Sequence, residues 1–135
     1  DRTKSRQQVF TIQLPEELPI ISSNRASLGR VLAELLNNSC KYTPNEGRIV
    51  FQVECDREKS DGNLKFIVSN EAEIPASELP KIFDKFYRVP NADPWKQGGT
   101  GLGLALVKKL VEQLGGSLEV TSGNGWTIFT FKLTM

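Results

Sequence analysis

The chain of 135 residues contains no histidine. That absence removes the usual zinc sites, the Ser–His and Cys–His nucleophile pairs, and any phosphohistidine formed on this chain itself. Cysteine is scarce: Cys40 and Cys55 form no metal-type CxxC pair, and both read as reduced core thiols. No apolar run approaches the roughly 20 residues that a bilayer span needs, and no stretch reads as a signal peptide. Neither sign of charge is in excess. The 17 Lys and Arg against 16 Asp and Glu leave a formal net charge of +1, which gives no general pull toward nucleic acid or an anionic membrane. The chain begins at Asp1 and not at Met, so it is expected to be a piece of something longer. No internal repeat or low-complexity segment interrupts it. What remains is a length suited to one domain, residues 1–135, with a hydrophobic core that needs no staples.

Residues 1–7 are polar and are expected to form a flexible lead-in. Val9, Phe10, Ile12 and Leu14 suggest a short strand closed by Pro15 and Pro19. Ser22, Ser23 and Asn24 can each cap a following helix. That helix should end near Tyr42, because Thr43 precedes Pro44 and is pushed out of the helical region. Ile49, Phe51, Val53 and Cys55 alternate with Val50, Gln52, Glu54 and Asp56, the period of a strand with one buried face. Asp61-Gly62 turns the chain into a partner strand carrying Leu64, Phe66 and Val68. Ser77–Phe86 reads as a short helix with Leu79, Ile82, Phe83 and Phe86 at helical spacing. Tyr87–Gly99 has no consistent period and is expected to be a long, functional or mobile loop. Gly101–Leu114 reads as an apolar helix stopped by Gly115-Gly116. Two strands follow, around Leu118–Val120 and over Trp126–Leu133. The order, β-α-β-β-α-loop-α-β-β, argues for an α+β fold, a two-layer sandwich with helices on one face of a mixed sheet.

The stretch Leu28–Thr43 concentrates the chemistry. At about 100° per residue, Leu28, Val31, Leu32, Leu35 and Leu36 fall in one apolar arc. Glu34, Asn38 and Lys41 fall in a narrow stripe on the other side. A carboxylate, an amide and an ammonium in one row can hold a divalent cation and a phosphate, although an ordinary solvated helix face shows the same pattern. Downstream, Gly98-Gly99-Thr100-Gly101-Leu102-Gly103-Leu104 closes the long loop and opens a helix. Glycine lets backbone N–H groups approach an anion, and a helix N-terminus adds a favourable dipole. The run is neither a Walker loop nor a dinucleotide-binding fingerprint. An anion cradle is preferred here to a plain turn because four glycines stand between the long loop and the helix start.

In this order, ELLNNSCKYTP, FDKFYR and GTGLGLALVKKLVEQLGG resemble the catalytic and ATP-binding domain of sensor histidine kinases, a branch of the GHKL superfamily. The resemblance runs from about Val9 to Leu133. It implies the Bergerat ATP-binding fold with a mobile ATP lid. By the family pattern Glu34–Tyr42 is the asparagine box, Asn70–Pro75 the first glycine box, Phe83–Phe86 the phenylalanine box and Gly99–Leu104 the second glycine box. The resemblance further implies that Asn38 holds Mg²⁺ on the ATP phosphates, as a hard cation wants oxygen ligands; Glu34, from its own carboxylate and not from the family pattern, is expected to assist metal binding more than hydrolysis. Lys41 would neutralise phosphate charge, Tyr42 would line the ribose and phosphates, and Arg88 would reach the γ-phosphate, although a solvated lid position explains a lone arginine equally well. The N–H groups of Gly101, Leu102, Gly103 and Leu104, with Gly99 and Thr100 before them, would wrap the phosphates. Ile74 and Thr127 would border the adenine, although core packing explains Ile74 equally well. Phe83 and Phe86 would pack the base of the lid. The implied partners are a histidine-bearing dimerisation domain and, downstream, a response regulator, with no nucleic acid and no membrane contact by this domain. The implied location is the cytoplasm.

Two positions depart from the family pattern. Glu34 stands where the family usually has Asn, and related ATPases of the superfamily use Glu there as the base for hydrolysis. The first glycine box, normally DxGxGIP, reads Ser69-Asn70-Glu71-Ala72-Glu73-Ile74-Pro75. Aligned by its end, Ser69 takes the Asp place; aligned by the strand end, Asn70 does and Ala72 replaces the first glycine. Asn70 is preferred, because its amide oxygen can accept from an amino group. Glu71 and Glu73 read as solvated. The departures keep two alternatives in view: an ATPase or anti-sigma-type serine kinase using Glu34 as base, and an interaction module with degenerate nucleotide binding.

Overall fold

The computed structural model describes residues 8–14, 25–56, 63–84 and 103–134. Within them lie strand β1 (Val9–Gln13), helix α1 (Arg25–Tyr42), strands β2 (Arg48–Asp56) and β3 (Asn63–Asn70), helix α2 (Gly103–Gln113), and strands β4 (Ser117–Gly123) and β5 (Trp126–Thr134). The five strands form one mixed sheet in the order β1-β2-β3-β5-β4. β1 and β2 run parallel, as a connection through a helix allows; every other pair is antiparallel.

Strand alternation decides which face the helices cover. Val53, Phe66 and Phe131 are register partners across β2, β3 and β5, and Phe51, Val68 and Phe129 form the next row. These residues share a core with Val31 and Leu35 of α1 and with Val107 and Val111 of α2. Phe66 and Phe131 stack with ring centroids 5.5 Å apart, and Phe83 meets Phe129 edge-on at 6.4 Å. Both helices therefore lie on the same face, in the expected two-layer arrangement. Edge strand β1 is exposed along its whole length.

Local chemistry sets the ends of the elements. α1 stops at Tyr42, and Gln8 reaches back to its last turn, its side-chain N–H donating to the carbonyls of Cys40 at 3.0 Å and Thr43 at 2.6 Å. Gly47 closes the following turn where a Cβ would stand 2.5 Å from the Thr43 methyl and 2.8 Å from the Pro44 carbonyl. α2 ends in a Schellman arrangement: Gly115 has φ +74°, and the Gly116 N–H donates to the Val111 carbonyl at 3.0 Å. Asn124 and Gly125, both at positive φ, make the two-residue turn between β4 and β5.

The helix expected over Ser77–Phe86 does not form within the described residues. In its place is a single 3₁₀ turn, Leu79–Lys81, flanked by turns whose bonds all span three residues: Glu78 to Pro75, Lys81 to Glu78 and Asp84 to Lys81. Pro80 explains the difference. It has no N–H to give a fourth-residue carbonyl and disfavours the helical conformation in Leu79 before it. The apolar spacing survives all the same, and Ile82 is buried with Leu79 and Phe83 packed beside it. Phe86, the last residue of that expectation, lies outside the described residues.

Candidate functional site

The helix-facing side of the sheet changes character at one level. Along β3 the inward residues are Leu64, Phe66, Val68 and then Asn70. Along β5 they are Leu133, Phe131, Phe129 and then Thr127, and along β4 they are Leu118, Val120 and then Ser122. Asn70 pairs with Thr127, and Thr127 with Ser122. Three strands thus end their apolar rows in one polar row. Ser69 pairs with Val50 and Ile128 on the opposite face. Of the two candidates for the family's Asp place, only Asn70 lies on the helix side.

Hydrogen bonding in this row is ordered. Thr127 Oγ1 donates to the Ala72 carbonyl at 2.7 Å, which uses its single hydrogen. The 2.9 Å contact between Ser122 Oγ and Thr127 Oγ1 must then have Ser122 as donor. Ser122 in turn accepts the Ile74 N–H at 2.8 Å. Ile74 N–H, Ser122, Thr127 and Ala72 C=O form one directed chain that ties the 72–74 loop to the β4–β5 hairpin. Ile74 also packs its side chain against the core. Asn70 is outside this chain. It is 3% exposed, and its Oδ1 is buried without a hydrogen-bond partner among the described residues. A buried acceptor left unmade costs on the order of 1–3 kcal/mol, so Asn70 is the member of this row that the described residues leave unsatisfied.

The stripe on α1 supplies a second wall. Glu34, Asn38, Lys41 and Tyr42 are all half-buried. Glu34 Oε1 accepts from Arg30 Nε at 2.9 Å, one turn earlier. Its other oxygen faces the start of α2: a Cβ on Gly103 would lie 2.7 Å from Glu34 Oε2. The carboxylate stripe and the helix start, 69 residues apart in sequence, therefore meet. The first N–H groups of an α-helix have no partner within the helix, and Gly103 and Leu104 stand at that end of α2. Leu104 also packs its side chain against the core. Arg88, Gly99, Thr100, Gly101 and Leu102 lie outside the described residues. Among the described residues, no three His, Cys, Asp or Glu side chains converge to hold a metal.

Sequence reasoning missed several residues. Glu71 and Glu73 are engaged, not simply solvated. Glu71 takes both side-chain nitrogens Nε and Nη2 of Arg48, at 3.2 and 2.9 Å, and Glu73 takes the Gly125 N–H at 2.7 Å. The hydrogen bonds from Arg48 hold the Glu71 carboxyl below the usual glutamate range, and the same bonds raise the Arg48 guanidinium. No pattern within one strand announces these contacts, because the first depends on the register of β2 with β3 and the second on that of β3 with β5. Ser122 was legible in principle: it occupies the inward position two residues after Val120.

Comparison with known proteins agrees with this geometry. Residues 23–135 match the family described as histidine kinase-, DNA gyrase B-, and HSP90-like ATPase. The sensor histidine kinase WalK of Bacillus subtilis is 35% identical over 136 residues, covering 98% of this chain and 22% of WalK. The chain thus spans about a fifth of the length of such relatives. The mycobacterial sensor histidine kinase MprB superposes with a TM-score of 0.79 at 25% identity, over 98% of this chain and 88% of the MprB chain. Full-length ShkA, solved in complex with AMPPNP, superposes with a TM-score of 0.79 at 22% identity, over 97% of this chain and 26% of its own. A family match over residues 23–135 of 135 covers most of the chain, and the chain belongs to the histidine kinase-, DNA gyrase B- and HSP90-like ATPases.

Proposed function

We propose that this chain binds Mg-ATP and presents its γ-phosphate to a histidine on a separate helical dimerisation domain, as the ATP-binding part of a two-component sensor kinase. The observation that carries the reading is Asn70 Oδ1, a buried acceptor without a donor among the described residues. It stands beside Thr127 on the helix side of the sheet, where the exocyclic amino group of adenine would supply the missing hydrogen. The Thr127 hydrogen is committed to Ala72, so toward a base or a bridging water Thr127 acts as an acceptor. Ala72 and Ile74 line the same end.

At the other end, Asn38 and Glu34 offer oxygen atoms to magnesium, which when bound neutralises phosphate charge. A magnesium site of this kind completes its shell with water and phosphate oxygens and needs no cage of protein ligands. Lys41 adds a positive charge, and Tyr42 lines the nucleotide between base and phosphates. The N–H groups of Gly101 to Leu104, following Gly99 and Thr100, receive phosphate oxygens at the α2 start, and Arg88 contributes a further cation. Phosphoryl transfer asks for positioning and charge neutralisation more than covalent help, and these residue types supply both. The acceptor histidine must come from elsewhere, since the chain has none, and a response regulator would receive the phosphate next. No helix among the described residues is long and apolar enough to cross a membrane; a domain that uses ATP in this way would work in the cytoplasm, where ATP is supplied.

Glu34 could instead act as a hydrolytic base, as in related ATPases. Its oxygens are turned to Arg30 and to the α2 start, which suits metal and phosphate positioning. Glu34→Gln should therefore weaken Mg-ATP binding and leave any basal hydrolysis per bound nucleotide unchanged; a selective loss of hydrolysis would assign the base role. The decisive experiment is calorimetric titration of ATP, ADP and GTP, with and without Mg²⁺, on the wild type and Asn38→Ala. Magnesium-dependent ATP binding that Asn38→Ala removes is expected. No binding at about millimolar nucleotide, some 4 kcal/mol of affinity, would overturn the reading in favour of an interaction module. Addition of a histidine-bearing dimerisation domain then tests transfer directly.

A further inference from the structure

The 70–75 loop carries two acids and no glycine, unlike the glycine-bearing loop of the resembling family, and those acids shape its path. Ile49 and Asn70 are the last register pair of β2 and β3. One step beyond, the Glu71 N–H still donates to the Arg48 carbonyl at 2.9 Å. The return bond, from the Arg48 N–H, goes to the Glu71 carboxylate Oε1 at 3.1 Å. A side chain has taken the place of the main-chain carbonyl in the ladder. The chain is thereby released from the sheet and turns at once, with the Ala72 N–H on the Asn70 carbonyl at 2.9 Å. No positive φ is needed at Glu71. Nε and Nη2 of Arg48 complete the grip on the carboxylate, and the Arg48 guanidinium lies 5.0 Å over the Trp126 ring at the start of β5. Two residues on, Glu73 Oε1 takes the Gly125 N–H at the tip of the β4–β5 turn, at 2.7 Å.

We propose that Glu71 and Glu73 are positioning residues for the base end of the nucleotide site, two carboxylate clasps that fix the turn carrying Asn70 and Ala72. The proposal rests on the nucleotide reading above. In a glycine-bearing loop the same turn is free to sample many conformations, and ordering it opposes binding. Here Glu71 fastens the residue next to Asn70 to β2 and, through Arg48, to Trp126. Glu73 fastens the far side of the loop to the hairpin that holds Thr127 and Ser122. The acids make no contact with ligand in this arrangement; they preorganise the group that does.

The test separates the two ends of the ligand. Titrations of Mg-ATP and of Mg-tripolyphosphate are compared for wild type, Glu71→Gln, Glu73→Gln and Arg48→Lys. Each variant should weaken ATP several-fold, and Glu71→Gln with Glu73→Gln combined about tenfold, the scale of one charge-assisted bond. Tripolyphosphate, which has no base to read, should stay within about twofold of wild type. Arg48→Lys should add nothing further to Glu71→Gln, since both open the same clasp. If the wild type binds ATP and all variants bind it equally well, the proposal is overturned and the nucleotide reading stands. Parallel losses for both ligands would also overturn it, because general loosening and not base positioning would be the cause. A wild type that binds neither ligand overturns the nucleotide reading and the proposal together. Circular dichroism establishes folding first; should Glu71→Gln not fold, Glu73→Gln and Arg48→Lys decide by the same criterion.

Discussion

Replacing Asn70 by leucine should move stability and affinity in opposite directions. Asn70 is 3% exposed and its Oδ1 has no partner among the described residues. A buried acceptor in that condition costs about 1–3 kcal/mol. Leucine has a similar size and brings no acceptor, so the free chain sheds the penalty. The expected gain lies near the low end, about 1 kcal/mol, because leucine branches differently from the amide and packs less well beside Thr127. For a chain of this length that corresponds to a rise of about 3 °C in Tm. Binding should respond the other way. An adenine amino group placed against leucine loses its acceptor and stays buried, which costs about 1.5–3 kcal/mol, or roughly tenfold to a hundredfold in Kd. Asn70→Asp is the counterpart. It makes the bond to the amino group charge-assisted and should tighten ATP by up to about tenfold. It also destabilises the free chain, increasingly as pH rises above about 4, because the carboxylate is then ionised in a desolvated site. Thermal melts without nucleotide and calorimetry with Mg-ATP read the two effects separately. An Asn70→Leu chain that melts well below wild type yet binds ATP equally tightly would refute the reasoning, since Asn70 would then be structural.

Three further outcomes follow from the same geometry. Leu35→Ala empties a fully buried position of the core and should cost about 2–5 kcal/mol in urea unfolding. Gly103→Ala forces the Glu34 carboxylate away from the α2 start. Its stability cost in the free chain should therefore vanish in a Glu34→Ala background, which a double-mutant cycle measures. The Arg48–Glu71 pair adds stability that is complete above the unfolded glutamate pKa and is lost as pH falls through the depressed folded value. Wild-type and Glu71→Gln melting curves should accordingly differ at pH 7 and converge in acid.

The elements most legible in the sequence were those whose signal is periodic and uninterrupted. The 3.6-residue arc from Leu28 to Leu36 and the alternation of Leu64, Phe66 and Val68 depend only on neighbours along the chain. Proline and glycine marked ends well where they fell outside an element, as Pro44 and Gly115 do. Pro80 inside the apolar spacing of 79–86 was the case in which period and backbone chemistry disagreed, and backbone chemistry prevailed. The clasps at Glu71 and Glu73 were illegible for a different reason. Their partners, Arg48 and Gly125, lie 23 and 52 residues away, and only strand register brings them together.

The base end of the site shows that register can sometimes be anticipated. On three strands the inward residues run apolar and then change to a short polar side chain: Val68 to Asn70, Phe129 to Thr127, Val120 to Ser122. Any one change reads as a strand leaving the core. Antiparallel pairing through the Asn124-Gly125 turn fixes Ser122 opposite Thr127, because a two-residue turn leaves no freedom in the hairpin register. Once those two hydroxyls face each other at the end of an apolar face, each must find a partner or carry the cost of burial. The loop after Asn70 provides Ala72 C=O and Ile74 N–H for them, and none for Asn70 Oδ1. Among the described residues an otherwise satisfied polar row keeps one acceptor over, and that leftover acceptor is why we propose that a bound base supplies the last donor.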